Sequence, residues 1–199
     1  MIGNTNAKIN INNGKRTLNA TIVGSPTISS DFIASGFSAS NYLSFPIVSP
    51  NGNKSWKVRI KFRFTQLSDT TIMDAPSDQE NFRLGVGTNG LQSNELNCLF
   101  SDGGGWLNSG DYDLGIKYEN ANEWWWLELG YNATSEKLFV NKSLDGETFS
   151  NIWETSGYWG FNWEEVEEIG KDANSTYLEF DLKELKQYIG DIVVYQGTI

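Results

Sequence analysis

The chain has 199 residues, and a domain of that length buries roughly 70% of the surface its unfolded form exposes, enough for one sizeable core. Lys and Arg number 15 against 25 Asp and Glu, and the resulting formal charge of -10 opposes attraction to nucleic-acid phosphates or anionic lipid, so neither partner is expected. A single cysteine, Cys98, and no histidine exclude an internal disulfide, a cysteine metal cluster, Ser/His/Asp or Cys/His catalysis and histidine-ligated zinc.

An aromatic content of 14% with 8 Trp and 20 Gly reads as all-β, and helical periodicity is nearly absent. Residues 1–16 are expected to form an arm or first strand ahead of one domain over 17–199. The opening residues have no basic region followed by an apolar run, so no secretory signal is expected. No apolar stretch approaches the roughly 18 residues that span a bilayer. Strands are predicted in chain order over 8–11, 18–23, 41–45, 56–64, 82–86, 96–100, 114–118, 124–129, 137–140, 148–154, 166–169 and 177–182, then 185–194 with a turn inside. The clearest puts Trp56, Val58, Ile60, Phe62 and Phe64 on one face and Lys57, Arg59, Lys61 and Arg63 on the other. Asn13-Gly14, Asn51-Gly52, Asp145-Gly146 and Gly190-Asp191 supply the positive φ angles of tight hairpin turns, so sequential strands are expected to be antiparallel neighbours. So many short strands predict two packed sheets.

The run Ile33-Ala34-Ser35-Gly36-Phe37-Ser38-Ala39-Ser40-Asn41-Tyr42-Leu43, followed by Trp56-Lys57-Val58-Arg59-Ile60-Lys61-Phe62, resembles the concanavalin A-like, laminin-G-like modules of bacteriophage fibre and other virion proteins. Further matches are Trp126-Leu127-Glu128-Leu129, Lys137-Leu138-Phe139-Val140, the Ser143-Leu144-Asp145-Gly146-Glu147-Thr148-Phe149 hairpin, and Ile169-Gly170, Phe180-Asp181-Leu182, Tyr188-Ile189-Gly190 and Tyr195-Gln196-Gly197. The likeness spans Leu18 to Gly197; residues 1–16 precede it, and the aromatic segment 157–163 looks like an insertion. The resemblance implies a two-sheet antiparallel jelly-roll sandwich, a carbohydrate-binding, lectin-like surface in many relatives and a plain structural surface in others. It also implies a non-enzymatic tail-fibre or capsid-decoration protein, synthesised in the host cytoplasm and carried on the virion surface. Its partners would be other virion proteins, host glycan and further copies of itself, trimers being common in such assemblies. A free carbohydrate-binding module is one alternative, and a glucanase of the same fold using Glu179 and Glu184 is the other.

Three constellations could carry chemistry. Glu179-Phe180-Asp181-Leu182-Lys183-Glu184 has the Glu-x-Asp-x-x-Glu spacing of glucanases with this fold, whose retaining chemistry needs two carboxyl groups about 5 to 5.5 Å apart. On a regular strand, however, Glu184 points away from Glu179 and Asp181, so a bulge would be required. The simpler reading turns Leu178, Phe180 and Leu182 inward and leaves Glu179 and Asp181 on a solvated face, pairing with Lys or Arg if the cationic strand lies alongside. That cationic row has a second use, binding an anionic glycan.

Exposed aromatic rings stack on the C–H faces of sugars. Trp124, Trp125 and Trp126 alternate sides and are read as sheet packing. Tyr158, Trp159, Phe161 and Trp163 crowd a glycine-rich segment open to local packing, protein contact or glycan stacking, and Trp106, after three glycines, has a similar claim. Asp102, Asp111 and Asp113 suggest calcium, but no calcium-loop spacing is present and Asp111-Tyr112-Asp113 reads as a turn, so no cofactor is expected.

Overall fold

The computed structural model describes residues 7–8, 19–30, 33–46, 54–64, 70–74, 80–86, 96–102, 106–108, 122–156, 166–169 and 180–198, and every regular element among them is a strand. In chain order these are β1 (Ala7–Lys8), β2 (Asn19–Val23), β3 (Thr27–Ile28), β4 (Ala34–Ser35), β5 (Tyr42–Pro46), β6 (Trp56–Phe64), β7 (Thr70–Asp74) and β8 (Glu80–Val86). They continue as β9 (Leu96–Asp102), β10 (Trp106–Asn108), β11 (Trp125–Asn132), β12 (Lys137–Ser143), β13 (Ser150–Ser156), β14 (Val166–Ile169), β15 (Phe180–Ile189) and β16 (Ile192–Thr198). One sheet has the order β1-β2-β5-β14-β7-β8-β9-β10. The second runs β13-β12-β11-β6-β15-β4-β3, with β16 beside β15, and all the pairings are antiparallel.

The alternation predicted for β6 is complete: its five apolar side chains are buried and its four cations lie on the other side. Sequence period and strand pleat coincide there, so one face enters the core along the whole length. Neighbouring strands add Trp125, Leu127, Leu129 and Tyr131 from β11, Leu138 and Val140 from β12, and Phe180, Leu182 and Leu185 from β15. Each such side chain contributes about 1.5–3 kcal/mol when fully buried. Phe37, from the segment between β4 and β5, stacks on Phe180 at 4.7 Å between ring centroids and closes the core beyond the end of β6.

Expected and observed elements differ at instructive places. Residues 177–182 and 185–194 were expected as separate pieces, but β15 runs unbroken to Ile189 and turns at Gly190-Asp191, where Gly190 takes φ +58°. Leu182 and Leu185, three positions apart, both face inward because Lys183 is the extra residue of a bulge between Leu182 and Glu184. The strands β3, β4, β7 and β10 were not expected, being two to five residues long and too short to display a period. Ala7–Lys8, within the 1–16 segment, pairs with Asn19 and Ala20, and the rest of that segment lies outside the described residues. The strand expected over 114–118 and the turns at Asn13-Gly14 and Asn51-Gly52 lie outside the described residues.

Candidate binding face of the second sheet

Pairing across β15, β6, β11, β12 and β13 arranges the side chains opposite the core in transverse rows. One row reads Tyr188, Lys57, Gly130, Phe139, Glu154; the next Lys186, Arg59, Glu128, Asn141, Asn151; the third Glu184, Lys61, Trp126, Ser143. Asp181 and Arg63 open a fourth, with Trp124 beside them. Cross-strand neighbours in such rows have Cβ atoms about 4.5–5.5 Å apart, so their chemistry is shared.

The cations of β6 are sorted by that arrangement. Lys57 Nζ lies 2.8 Å from Glu128 Oε1, and Arg59 donates to the same oxygen through Nε at 2.9 Å. Burial pushes the Glu128 carboxyl up, and the hydrogen bonds from Lys57 and Arg59 outweigh it, leaving the group below the usual carboxylate range. Arg63 donates through Nε to Asp181 Oδ2 at 2.7 Å. The expected cross-strand pairing is therefore present, but Asp181 is not solvated as expected; it is only 6% exposed, because the alternation of a strand tells the face and not what covers it. Lys61 lies 3.8 Å from the ring centre of Trp126.

The hairpin between β12 and β13 folds onto this face. Asp145 accepts from the N–H groups of Glu147 and Thr148 and from the Ser143 hydroxyl, each at 2.8 Å, forming a closed turn. These donors, Thr148 foremost, pull the Asp145 carboxyl down to about 2. Gly146, at φ +79°, lies so close to the Trp126 indole that an added Cβ would stand 2.9 Å from Cε2. Arg59 spreads over the Phe149 ring at 4.3 Å and so anchors the hairpin from below.

At the other end of the face is an open polar trough of about 280 Å³ lined by Lys57, Glu128, Asn132, Ser135, Lys137, Phe139, Asn141, Asn151 and Glu154. Its polar groups are held in place by one another. Asn151 donates to Asn141 Oδ1 at 3.0 Å and to the Trp153 carbonyl at 3.2 Å. Asn132 Oδ1 accepts from the N–H groups of Thr134 and Ser135, and Lys137 pairs with Glu154. A half-buried phenyl ring, Phe139, lies among them. Phe139, Asn141 and Asn151 were not singled out in the sequence; the sole signal was the Ser-x-Asp-Gly hairpin, which sets the β12–β13 pairing that joins them.

Trp125 faces the core as the alternation required, while Trp124 and Trp126 are half-buried on the opposite side. Trp125 also borders a second depression, about 350 Å³, beside Lys142, Leu144 and Asp145. Of the aromatic candidates, Tyr158, Trp159, Phe161 and Trp163 lie outside the described residues, and Trp106 opens β10 opposite Ser101, on a strand and not in a loop. The glucanase-like spacing acquires the bulge it needed, so Asp181 and Glu184 share one face. Both are held in ion pairs, Asp181 with Arg63 and Glu184 with Lys186 at 2.9 Å, and Glu179 lies outside the described residues. Asp102 ends β9, whereas Asp111 and Asp113 lie outside them. Among the described residues no three His, Cys, Asp or Glu side chains converge to hold a metal ion.

Solved structures share this architecture. The binding domain of botulinum neurotoxin DC in complex with rat synaptotagmin II superposes with a TM-score of 0.58 at 12% identity over 96% of this chain and 47% of that one. The botulinum neurotoxin serotype C1 binding domain gives 0.58 at 14% identity, over 96% and 48%. The chain thus spans about half the length of those domains. The VIP36 exoplasmic/lumenal domain in its Ca2+/Man-bound form gives 0.50 at 12% identity, over 90% of this chain and 89% of that one. The chain has the concanavalin A-like lectin fold. At such identities the likeness shows the fold alone. No protein-family model matches the sequence, and no curated protein matches it.

Proposed function

We propose that the chain is a non-enzymatic, lectin-like binding module that recognises carbohydrate on the outer face of its second sheet. The observation that carries this reading is the trough around Phe139, an aromatic ring among pre-positioned amide and carboxylate groups. That is the combination by which proteins take the C–H face of a sugar on a ring and its hydroxyls on polar side chains. The VIP36 structures bound to mannose and to Man3GlcNAc, and the botulinum binding domains, set the same architecture in binding roles. Ion pairing of Asp181 and Glu184 speaks against glycosidase chemistry, in which one carboxyl group must act as an acid and the other as a nucleophile.

A glycan array tests the proposal. Binding that disappears in Phe139→Ala and survives in Trp159→Ala supports the trough; the reverse moves the site to segment 157–163, and silence of the wild type across the array overturns the lectin reading. The setting proposed for the module, a bacteriophage virion surface among other virion proteins and in several copies, rests on the strand and turn pattern from Leu18 to Gly197. None of the solved structures named above is a virion protein. Neighbouring capsid or tail genes, or incorporation of the tagged protein into particles, would support that setting, and their absence would remove it.

A further inference from the structure

We propose that the end of the outer face around Trp124 is a subsite for an acidic saccharide, with Lys61 and Lys183 holding its anionic group and the Trp124 indole receiving the ring. This rests on the lectin-like reading and deepens it by naming the ligand class. The argument begins with which cations are already committed. Lys57 and Arg59 are bound to Glu128, Arg63 to Asp181 and Lys186 to Glu184. Lys61 and Lys183 are paired with no carboxylate among the described residues. Their ammonium groups lie 5.6 and 5.8 Å from the centre of the same Trp124 ring, which Arg63 flanks at 4.8 Å.

Strand alternation makes the cluster and the bulge adds to it. Lys183 falls on the same face as Asp181, and the shift between Leu182 and Glu184 turns Glu184 to that face as well, so Lys183 lies next to the row that Glu184 and Lys61 occupy. Two ammonium groups around one indole repel each other. The Lys61 amine is held below its usual range, first by burial and then by Lys183, with Glu184 acting in the opposite sense. An anion between them removes that repulsion and gains two charge-assisted contacts. Trp124 is half-buried, so its ring is partly open to a ligand. The net charge of -10 disfavours an extended phosphate polymer, while a single acidic group on a sugar meets the local pair without crossing the rest of the acidic surface.

The test uses an array in which each acidic glycan, uronate or sulfated, stands beside a counterpart differing only in lacking the charge. The wild type is expected to prefer the acidic member, and Lys183→Gln and Lys61→Gln each to reduce that preference about tenfold with binding of the neutral member unchanged. Lys183→Gln lies at a bulge on the surface and keeps the comparison interpretable if Lys61→Gln unfolds. Equal binding of both members, or an acidic preference that survives both substitutions or moves only with Lys137→Gln, overturns the subsite and leaves the lectin reading standing. Capture of a single-stranded oligonucleotide by Lys61 and Lys183 in place of acidic glycans also overturns it. Silence toward every glycan overturns both readings.

Discussion

Arg63 of β6 and Asp181 of β15 stand opposite each other in the ladder, the guanidinium Nε donating to the carboxylate at 2.7 Å. The carboxylate is nearly covered and the arginine is partly open, so the two members of the pair are not equivalent. Removing the cation strands a buried charge, which destabilises far more than removing both groups together. Arg63→Met should lower the unfolding free energy by about 2 kcal/mol, and Arg63→Met with Asp181→Leu should recover more than half of the loss, read from urea unfolding.

Glu128 gives a pH signature. Its folded value lies below the ordinary 4.5, so its contribution is full above about pH 4.5 and is lost as the pH falls through the folded value. Glu128→Gln should flatten the acid limb of the stability curve below pH 4.5, and at pH 7 should lower stability by about 1–3 kcal/mol, since Lys57 and Arg59 then face each other uncompensated.

Asp145 should titrate with a midpoint near 2 when followed by NMR of its carboxyl carbon, against an ordinary 3.8. Because the folded value is the lower one, the turn loses its carboxylate contribution as the pH falls from about 4 through about 2. Asp145→Asn retains an acceptor oxygen and should abolish that dependence while keeping the hairpin.

Gly130 is tightly placed without any unusual backbone angle. A Cβ there would stand 2.8 Å from the Lys57 Cβ and would also meet the Trp56 carbonyl, so β6 and β11 would have to part. Gly130→Ala should destabilise by roughly 1–3 kcal/mol in thermal or urea unfolding. Gly190→Ala meets no atom within 4 Å and should cost only about 1 kcal/mol, through its φ of +58°.

How far the sequence could be read depended on length and regularity. In β6, nine residues of unbroken alternation placed every side chain on its correct face. The Asp145-Gly146 and Gly190-Asp191 turns were legible because positive φ has few residue solutions. The bulge at Lys183 was not, since it carries no glycine and shows only as a missed beat between Leu182 and Leu185. The candidate site was still less legible. Phe139, Asn141 and Asn151 become neighbours through pairing register, and Lys61 and Lys183 are separated by most of the chain. Equally, the four cations of β6 looked alike in sequence, and only their cross-strand neighbours distinguish the committed ones from Lys61.

The register between β12 and β13 shifts after Val140, so Ile152 is an extra residue on β13, the outermost strand of its sheet among the described residues. A foreign strand approaching that rim would need evenly spaced main-chain donors and acceptors to zip against, and it meets a kinked row instead. The irregularity that sets Asn151 beside Asn141 therefore also discourages fibril-like growth, so that copies of the molecule crowded together can remain separate particles.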